Sequence, residues 1–226
     1  MIFYYITDRR QFPGTPAEQR ARLLAKIAEA TRAGVDLIQL REKDLPARDL
    51  ESLAREAVRV IRENAGKRTR LLINSRVDVA LAAEADGVHL RGDDIAASEA
   101  RVIFAKAGVR KPAIGVSCHS VPEVRLAESH GADFAVFGAV FEKSGAPGHG
   151  LATLQAACGQ VPAPGVEAAV PAGQMPVLAL GGVTGDNAAA CLEAGAAGVA
   201  AIRLFQENDI ASIIGALKSR HKDAGK

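Results

Sequence analysis

The chain has 226 residues, 48% of them hydrophobic, with 28 basic and 26 acidic side chains for a formal net charge of +2. So balanced a charge leaves no field to recruit nucleic acid or an anionic membrane, and any anion must be caught by a local site. Three cysteines, Cys118, Cys158 and Cys191, odd in number and with no CxxC, argue against a disulfide frame or structural zinc and suit a reducing cytosol.

The first predicted element is a strand at IFYYITD, residues 2–8. Its apolar run is too short for a signal peptide, and no later stretch reaches about 18 apolar residues, so the expectation is a soluble cytoplasmic protein. The segment 17–34 keeps Leu23, Leu24, Ile27 and Ala30 at helical spacing and runs through ATRAG into the strand VDLIQL. The segment 49–66 repeats the pattern with Leu50, Leu53, Ala57, Val60 and Ile61, and leads to the strand in TRLLINS, 69–75. Both helices should cover a sheet with their apolar face. Further strands follow in AEADGVHL (83–90), KPAIGVS (111–117), AESHGADFAVFG (127–138), MPVLALGG (175–182) and CLEAGAAGVAAI (191–202). The stretch 161–175, rich in Pro, Gly and Ala, has neither period and reads as an extended loop.

Four of these units end a helix in Ala or Gly and pass within a few residues into an apolar strand, the way a left-handed C-cap joins helix to buried strand. Near-continuous runs such as FAVFGAV and PVLALGG mark parallel strands buried on both faces. A doubly wound open sheet also alternates strand and helix. Eight evenly spaced units in this length instead predict one (β/α)8 TIM barrel over residues 1–226, a fold of roughly 200–250 residues.

Chemistry in such a barrel sits where the strands end. Here those ends carry Thr7 and Asp8; Gln39, Arg41, Glu42 and Lys43; Asn74, Ser75 and Arg76; His89, Arg91, Asp93 and Asp94; Ser117 and His119; Glu142 and Lys143; Gly181 and Gly182; and Arg203. Alternation along a strand puts Gln39, Arg41 and Lys43 on one face, toward the mouth, and two cations there call for an anion. A solvated strand end would also carry charges. ALGGVT, 179–184, offers backbone amides before a helical run starting near Asp186, a place where barrels hold phosphate, although a tight turn alone also needs such glycines. His89 inside GVHL reads as a packed barrel histidine, whereas His119 stands beyond a strand end.

The ordered motifs YYITD (4–8), QLREKD (39–44), LLINSRVDVAL (71–81), ADGVHLRGDD (85–94), IGVSCHS (114–120), GADFAVFGAVFE (131–142) and LALGGV (178–183) resemble the thiamine phosphate synthase and TenI family over nearly the whole chain. The resemblance implies Mg²⁺-assisted loss of pyrophosphate from hydroxymethylpyrimidine diphosphate and attack by a thiazole phosphate nitrogen. It implies that Gln39, Arg41, Lys43 and Asn74 bind the diphosphate and pyrimidine, with Arg41, Lys43 and Ser117 in the chemistry. His119 and Lys143 join the substrate-binding set, Asp94 is a metal ligand, and Gly182, Ile202 and Arg203 bind the thiazole phosphate. Its partners are small phosphate and diphosphate substrates, with no nucleic acid and no membrane, and a homo-oligomer is compatible with it.

The departures are specific. The family's second metal-ligand Asp is Ser75 here, its Thr-x-Thr-Lys loop is reduced to Lys143 and Ser144 in GAVFEKSGAPGHG (138–150), and its usual Ser at the phosphate is Arg203. The TenI branch also lacks that Asp, but its tautomerase carries a catalytic His where this chain has Ala139. Synthase-type condensation is the first reading; thiazole phosphate tautomerisation and a non-catalytic phosphate-ligand binder or regulator are the alternatives.

Overall fold

The computed structural model describes residues 1–64, 69–142, 145–159 and 174–223. Eight parallel strands, β1 (Ile2–Ile6), β2 (Leu37–Leu40), β3 (Arg70–Asn74), β4 (Gly87–Leu90), β5 (Ala113–Cys118), β6 (Phe134–Gly138), β7 (Val177–Leu180) and β8 (Gly198–Ala201), run in sequence order around a closed barrel. β1 closes it, pairing with β2 through Tyr4↔Leu37 and with β8 through Tyr4↔Ala200. The predicted (β/α)8 architecture is therefore present. Of the extended loop expected at 161–175, residues 161–173 lie outside the described residues. Among the described residues no helix is long and apolar enough to cross a membrane.

Helix α1 (Pro16–Ala33) shows how the joints are made. Thr15 and Glu18 form a reciprocal capping box with Pro16 at the first turn, and Gly34 ends the helix at φ 83°, where a side chain would be strained. Its buried face of Leu23, Ile27 and Ala30, with α2 (Ala47–Asn64) presenting Leu50, Leu53, Ala57 and Ile61, packs on the outside of the barrel. Each fully buried Leu or Ile contributes roughly 1.5–3 kcal/mol.

Three of the helix-to-strand joints share a device that composition does not reveal. Asp36, Asp86 and Asp133 each stand just before a strand, and each carboxylate accepts the N–H that opens its neighbour: Phe3 at 2.9 Å, Leu71 at 2.7 Å and Ile114 at 2.7 Å. Each also returns its own N–H to the carbonyl of that same residue. This double tie fixes register at the bottom of the barrel, away from the chemistry.

Alternation then sorts the strands. Phe3, Tyr5, Ile38, Leu40, Val88 and Leu90 face the helices, while Tyr4, Ile6, Leu37, Leu72, Phe134, Val136 and Leu178 fill the interior. At Gly198 the strands approach so closely that a Cβ would lie 1.9 Å from the Ile2 carbonyl oxygen. Gly198→Ala should therefore destabilise the fold by about 1–3 kcal/mol or more in urea denaturation. Gly215→Ala, in the helix Ile210–Asp223 where a Cβ meets nothing within 4 Å, should instead stabilise by up to about 1 kcal/mol. Equal effects at the two sites would refute the close approach at the β1–β8 seam.

Candidate active site

The QLREKD segment begins inside the barrel and ends at its rim. Gln39 is 1% exposed; its amide lies near enough to the Tyr4 hydroxyl to lower that group's pKa, but its Nε2 completes no hydrogen bond of full geometry among the described residues. Two residues on, Arg41 is half-buried and no side-chain partner is found for its guanidinium among the described residues. Burial draws its pKa below the ordinary arginine range, against the opposing pull of Asp8 and Glu42; a guanidinium in such a place is still cationic near neutral pH. Lys43 is exposed at the same rim.

What holds this segment is a network on its other side. The Arg41 N–H donates to Thr7 Oγ1 at 3.0 Å, and the Thr7 hydroxyl donates to Glu42 Oε1 at 2.6 Å. Glu42, its side chain 1% exposed, also accepts from the Arg9 N–H and from Arg9 Nη1 at 3.1 Å. The Arg9 guanidinium forks onto Asp44 at 2.8 and 2.7 Å, which raises Arg9 and lowers Asp44 from their usual pKa values. Asp44 is largely solvated, so its pair is worth little; Glu42 is the buried charge, and it is satisfied only with its donors in place. Glu42 was visible in the sequence as a strand-end residue, but Arg9 was not, because it lies in the short 3-10 turn Arg9–Gln11 rather than at a strand end.

Strands β3 to β5 supply the next sector. Asn74 Nδ2 donates to Ser75 Oγ at 3.1 Å, the Ser75 hydroxyl lies near enough to Asp94 to lower its pKa, and Asp94 Oδ2 accepts the Arg91 N–H at 2.7 Å. Burial pushes the Asp94 carboxyl up, but these donors and the Arg91 guanidinium outweigh it and hold Asp94 below the usual carboxylate range. The family resemblance implies Asp94 as a metal ligand; in the structure both its oxygens accept from Arg91, the backbone N–H on Oδ2 and Nη2 on Oδ1. Asp93 is exposed and pairs with Arg91 at 3.3 Å. Among the described residues no group of three or more His, Cys, Asp or Glu is arranged to hold a metal ion. Mg²⁺ binds through one or two carboxylates with phosphate oxygens completing its shell, so Asp94 fits Mg²⁺ only as the protein ligand of an ion carried on a diphosphate.

His89 is buried at 2% exposure, as expected of a barrel histidine, yet it is not inert. It links the Tyr4 hydroxyl, 3.1 Å from Nδ1, to Ser117 Oγ, 2.8 Å from Nε2. Burial, then the nearby Arg41 charge, lowers its pKa to about 3, with Asp94 opposing. Tyr4 was missed from the sequence; a phenol on the interior face of β1 was the available signal, since a buried hydroxyl needs a partner. His119 is exposed and its Nδ1 lies 2.5 Å from the Gly138 carbonyl, beside Ala139.

Across the barrel, Gly181 and Gly182 take φ of 92° and 66°, and Asn187 closes their loop by donating to the Gly182 carbonyl at 2.9 Å. A Cβ on Gly182 would lie 2.7 Å from Phe141 Cβ and 2.9 Å from the Glu142 carbonyl oxygen. A side chain there would strike the loop after β6 before it reached an anion, so the glycine serves packing as well as any ligand. The helix after β7 begins at Ala188 rather than near Asp186. Among the described residues the N–H groups of Gly182, Val183 and Ile202 have no acceptor, and exposed Arg203 opens a short helix beside them. Glu142 is exposed in the loop four residues beyond β6, and Lys143 and Ser144 lie outside the described residues.

The depressed His89 pKa makes a signed prediction. Unfolded His89 takes up its proton as pH falls below about 6.5 while the folded residue resists until about 3, so folding stability is full above that window and declines through it with acid. The slope from this residue approaches about 1.4 kcal/mol per pH unit. Urea denaturation of wild type and His89→Gln across that range should show the variant with the shallower decline; parallel curves would place a charged His89 in the folded barrel.

The family described as thiamine monophosphate synthase matches residues 3–205. A thiamine-phosphate synthase of Roseiflexus castenholzii is 39% identical over 201 residues, covering 89% of this chain and 79% of its own. A thiamine-phosphate synthase of Methanoculleus marisnigri is 37% identical over 222 residues, covering 96% and 93%. The solved structure of a thiamine phosphate pyrophosphorylase from Pyrococcus furiosus superimposes with a TM-score of 0.75 at 29% identity, covering 98% of this chain and 96% of its own. With the matched region taking in β2 to β8 whole and all of β1 but Ile2, the chain belongs to the thiamine monophosphate synthase family.

Proposed function

We propose that the protein is a thiamine-phosphate synthase, a transferase that joins hydroxymethylpyrimidine diphosphate to thiazole phosphate and releases pyrophosphate. The observation that carries this reading is the half-buried Arg41 guanidinium and the buried Gln39 amide nitrogen, which among the described residues complete no side-chain hydrogen bond, at a mouth whose opposite rim offers N–H groups at Gly182 and Ile202 that among the same residues have no acceptor. β4 and β8 lie four strands apart in an eight-stranded barrel, so a ligand on the β2–β5 sector and one on the β7–β8 sector face each other across the opening. Two anion-binding sectors on one mouth suit an enzyme that brings two phosphorylated molecules together.

In this reading the pyrimidine diphosphate occupies the sector of Gln39, Arg41, Lys43, Asn74 and Ser117. Arg41 and Lys43 stabilise charge that grows on the diphosphate as its bond to the pyrimidine methylene breaks, and their fixed positions avoid reorganisation at that moment. Ser117 orients the ring. Gly182, Ile202 and Arg203 hold the second phosphate so that the thiazole nitrogen points at the cationic methylene carbon; Arg203 supplies a charge where relatives of the resemblance carry a hydroxyl. Mg²⁺, held by Asp94 and diphosphate oxygens, would supply neutralising charge to the leaving group. His119 and Lys143 remain in the proposed substrate-binding set.

One observation favours a second reading. His119 reaches the Gly138 carbonyl next to Ala139, which brings an imidazole beside the position where the tautomerase of the resembling branch carries its catalytic His. Incubating the protein with both substrates, with and without Mg²⁺, and following products by mass separates the readings: thiamine phosphate and pyrophosphate support the synthase, and isomerised thiazole phosphate alone refutes it.

Arg41→Ala should weaken pyrophosphate binding by about 1.5–3 kcal/mol, the worth of a charge-assisted hydrogen bond, with the fold intact; isothermal titration giving wild-type affinity would remove Arg41 from the diphosphate sector. Ser75 sits at φ 59°, a left-handed backbone that Asp also accepts. Ser75→Asp should tighten Mg²⁺ binding in the presence of pyrophosphate by about tenfold or more, and unchanged affinity would show that this position does not face the ion.

A further inference from the structure

Below the mouth, three side chains from three strands cross the barrel interior in line: Tyr4 on β1, His89 on β4 and Ser117 on β5. Tyr4 and His89 are 0% and 2% exposed, and the Phe134 ring packs edge-on to Tyr4 at 5.4 Å. The His89 ring lies against Gly115, where a Cβ would come within 2.9 Å of Nδ1. It therefore sits in a slot of fixed shape.

The direction of the hydrogen bonds in this line can be deduced. A phenol O–H buried among apolar groups must donate to something, and among the described residues the acceptor within reach is His89 Nδ1, at 3.1 Å. The Gln39 amide beside the Tyr4 hydroxyl lowers its pKa, as a donor to the phenol oxygen does, and so does not take the phenol proton. Nδ1 is thus bare, and a neutral imidazole then carries its one proton on Nε2. That proton points at Ser117 Oγ, 2.8 Å away. With its oxygen accepting from His89, Ser117 has its own proton left over, and among the described residues nothing accepts it. Ser117 is half-buried at the end of β5, one residue from the strand's last position.

We propose that Tyr4 and His89 are positioning residues that lock Ser117 as a hydrogen-bond donor, so that the mouth selects a heterocycle presenting a bare ring nitrogen to Ser117 and rejects the same ring with C–H in that place. This deepens the synthase reading, on which the identity of the ring as a pyrimidine rests. Because burial keeps His89 uncharged down to about pH 3, the polarity of the line does not reverse across the range in which an enzyme works. A serine free to rotate would accept or donate with equal ease and would not distinguish a ring nitrogen from an amino group; the locked serine does.

Two measurements on the intact protein test it. Nitrogen NMR of the imidazole side chains should find His89 protonated at Nε2 and bare at Nδ1 from about pH 5 to about pH 8; an Nδ1–H tautomer overturns the lock whether or not condensation occurs. Binding is then compared for the aminopyrimidine alcohol and its two pyridine analogues, each with one ring nitrogen replaced by C–H. In wild type one analogue should bind about tenfold or more weakly than the parent while the other does not, and in Tyr4→Phe and Ser117→Ala that contrast should shrink to about threefold or less. Ser117 stands near the rim, so its variant keeps the comparison available if the Tyr4 variant unfolds. Equal binding of all three rings by wild type overturns the selection. Failure of every ring to bind, with the Nε2–H tautomer present, refutes the pyrimidine reading of function together with the selection and leaves the lock standing.

Discussion

Closure of β1 onto β8 is the constraint from which the rest follows. A closed parallel barrel has no free edge, so every strand must deliver its C-terminal end to one rim, and side chains two apart on each strand must point into one interior. That interior is filled at the bottom and middle by Tyr4, Ile6, Leu37, Leu72, Phe134, Val136 and Leu178. Polar side chains that fall on the inward face near the rim, Gln39 and His89 among them, must find partners in each other or in a ligand, because water cannot reach them. Tyr4, His89 and Ser117 find each other. Among the described residues the Gln39 amide nitrogen completes no hydrogen bond and the Arg41 guanidinium has no side-chain partner, and two such donors make an acceptor-rich anion the natural complement.

Precision at the rim comes from a buried carboxylate. Glu42 gathers the Thr7 hydroxyl and two donors of Arg9, and Thr7 in turn holds the Arg41 backbone. Taking one member from such a buried pair costs about 3–5 kcal/mol, since the remaining charge has no solvent to fall back on. The network therefore fixes the Arg41 backbone from behind, while among the described residues no side chain takes its guanidinium. The adjacent sector is arranged differently: Asp94 already accepts from the Arg91 N–H and guanidinium, so a cation bound there must compete with those donors and draw on substrate oxygens for the balance of its shell.

The barrel was legible in the sequence because eight apolar runs recur with the same helix-to-strand joint, and packing then leaves few alternatives. The inward direction of Gln39 and Arg41 was legible too, since strand alternation is a rigid rule. His89 shows where that legibility stops: its burial could be read from GVHL, but its role as a link between Tyr4 and Ser117 depends on strands β1, β4 and β5 meeting across the interior, which no local pattern encodes. Arg9 was hidden for a similar reason, because its importance comes from a carboxylate 33 residues away. At Gly182 the sequence suggested freedom for a phosphate, whereas the structure adds the contact with Phe141 that forbids a side chain in any case.

The central claim is that one barrel mouth holds two anions in separate sectors at once. Isothermal titration of pyrophosphate into protein saturated with thiazole phosphate tests it most directly. Pyrophosphate should still bind with one-to-one stoichiometry and an affinity close to that for the free protein. Competition, with pyrophosphate displacing thiazole phosphate from a single shared site, would contradict it.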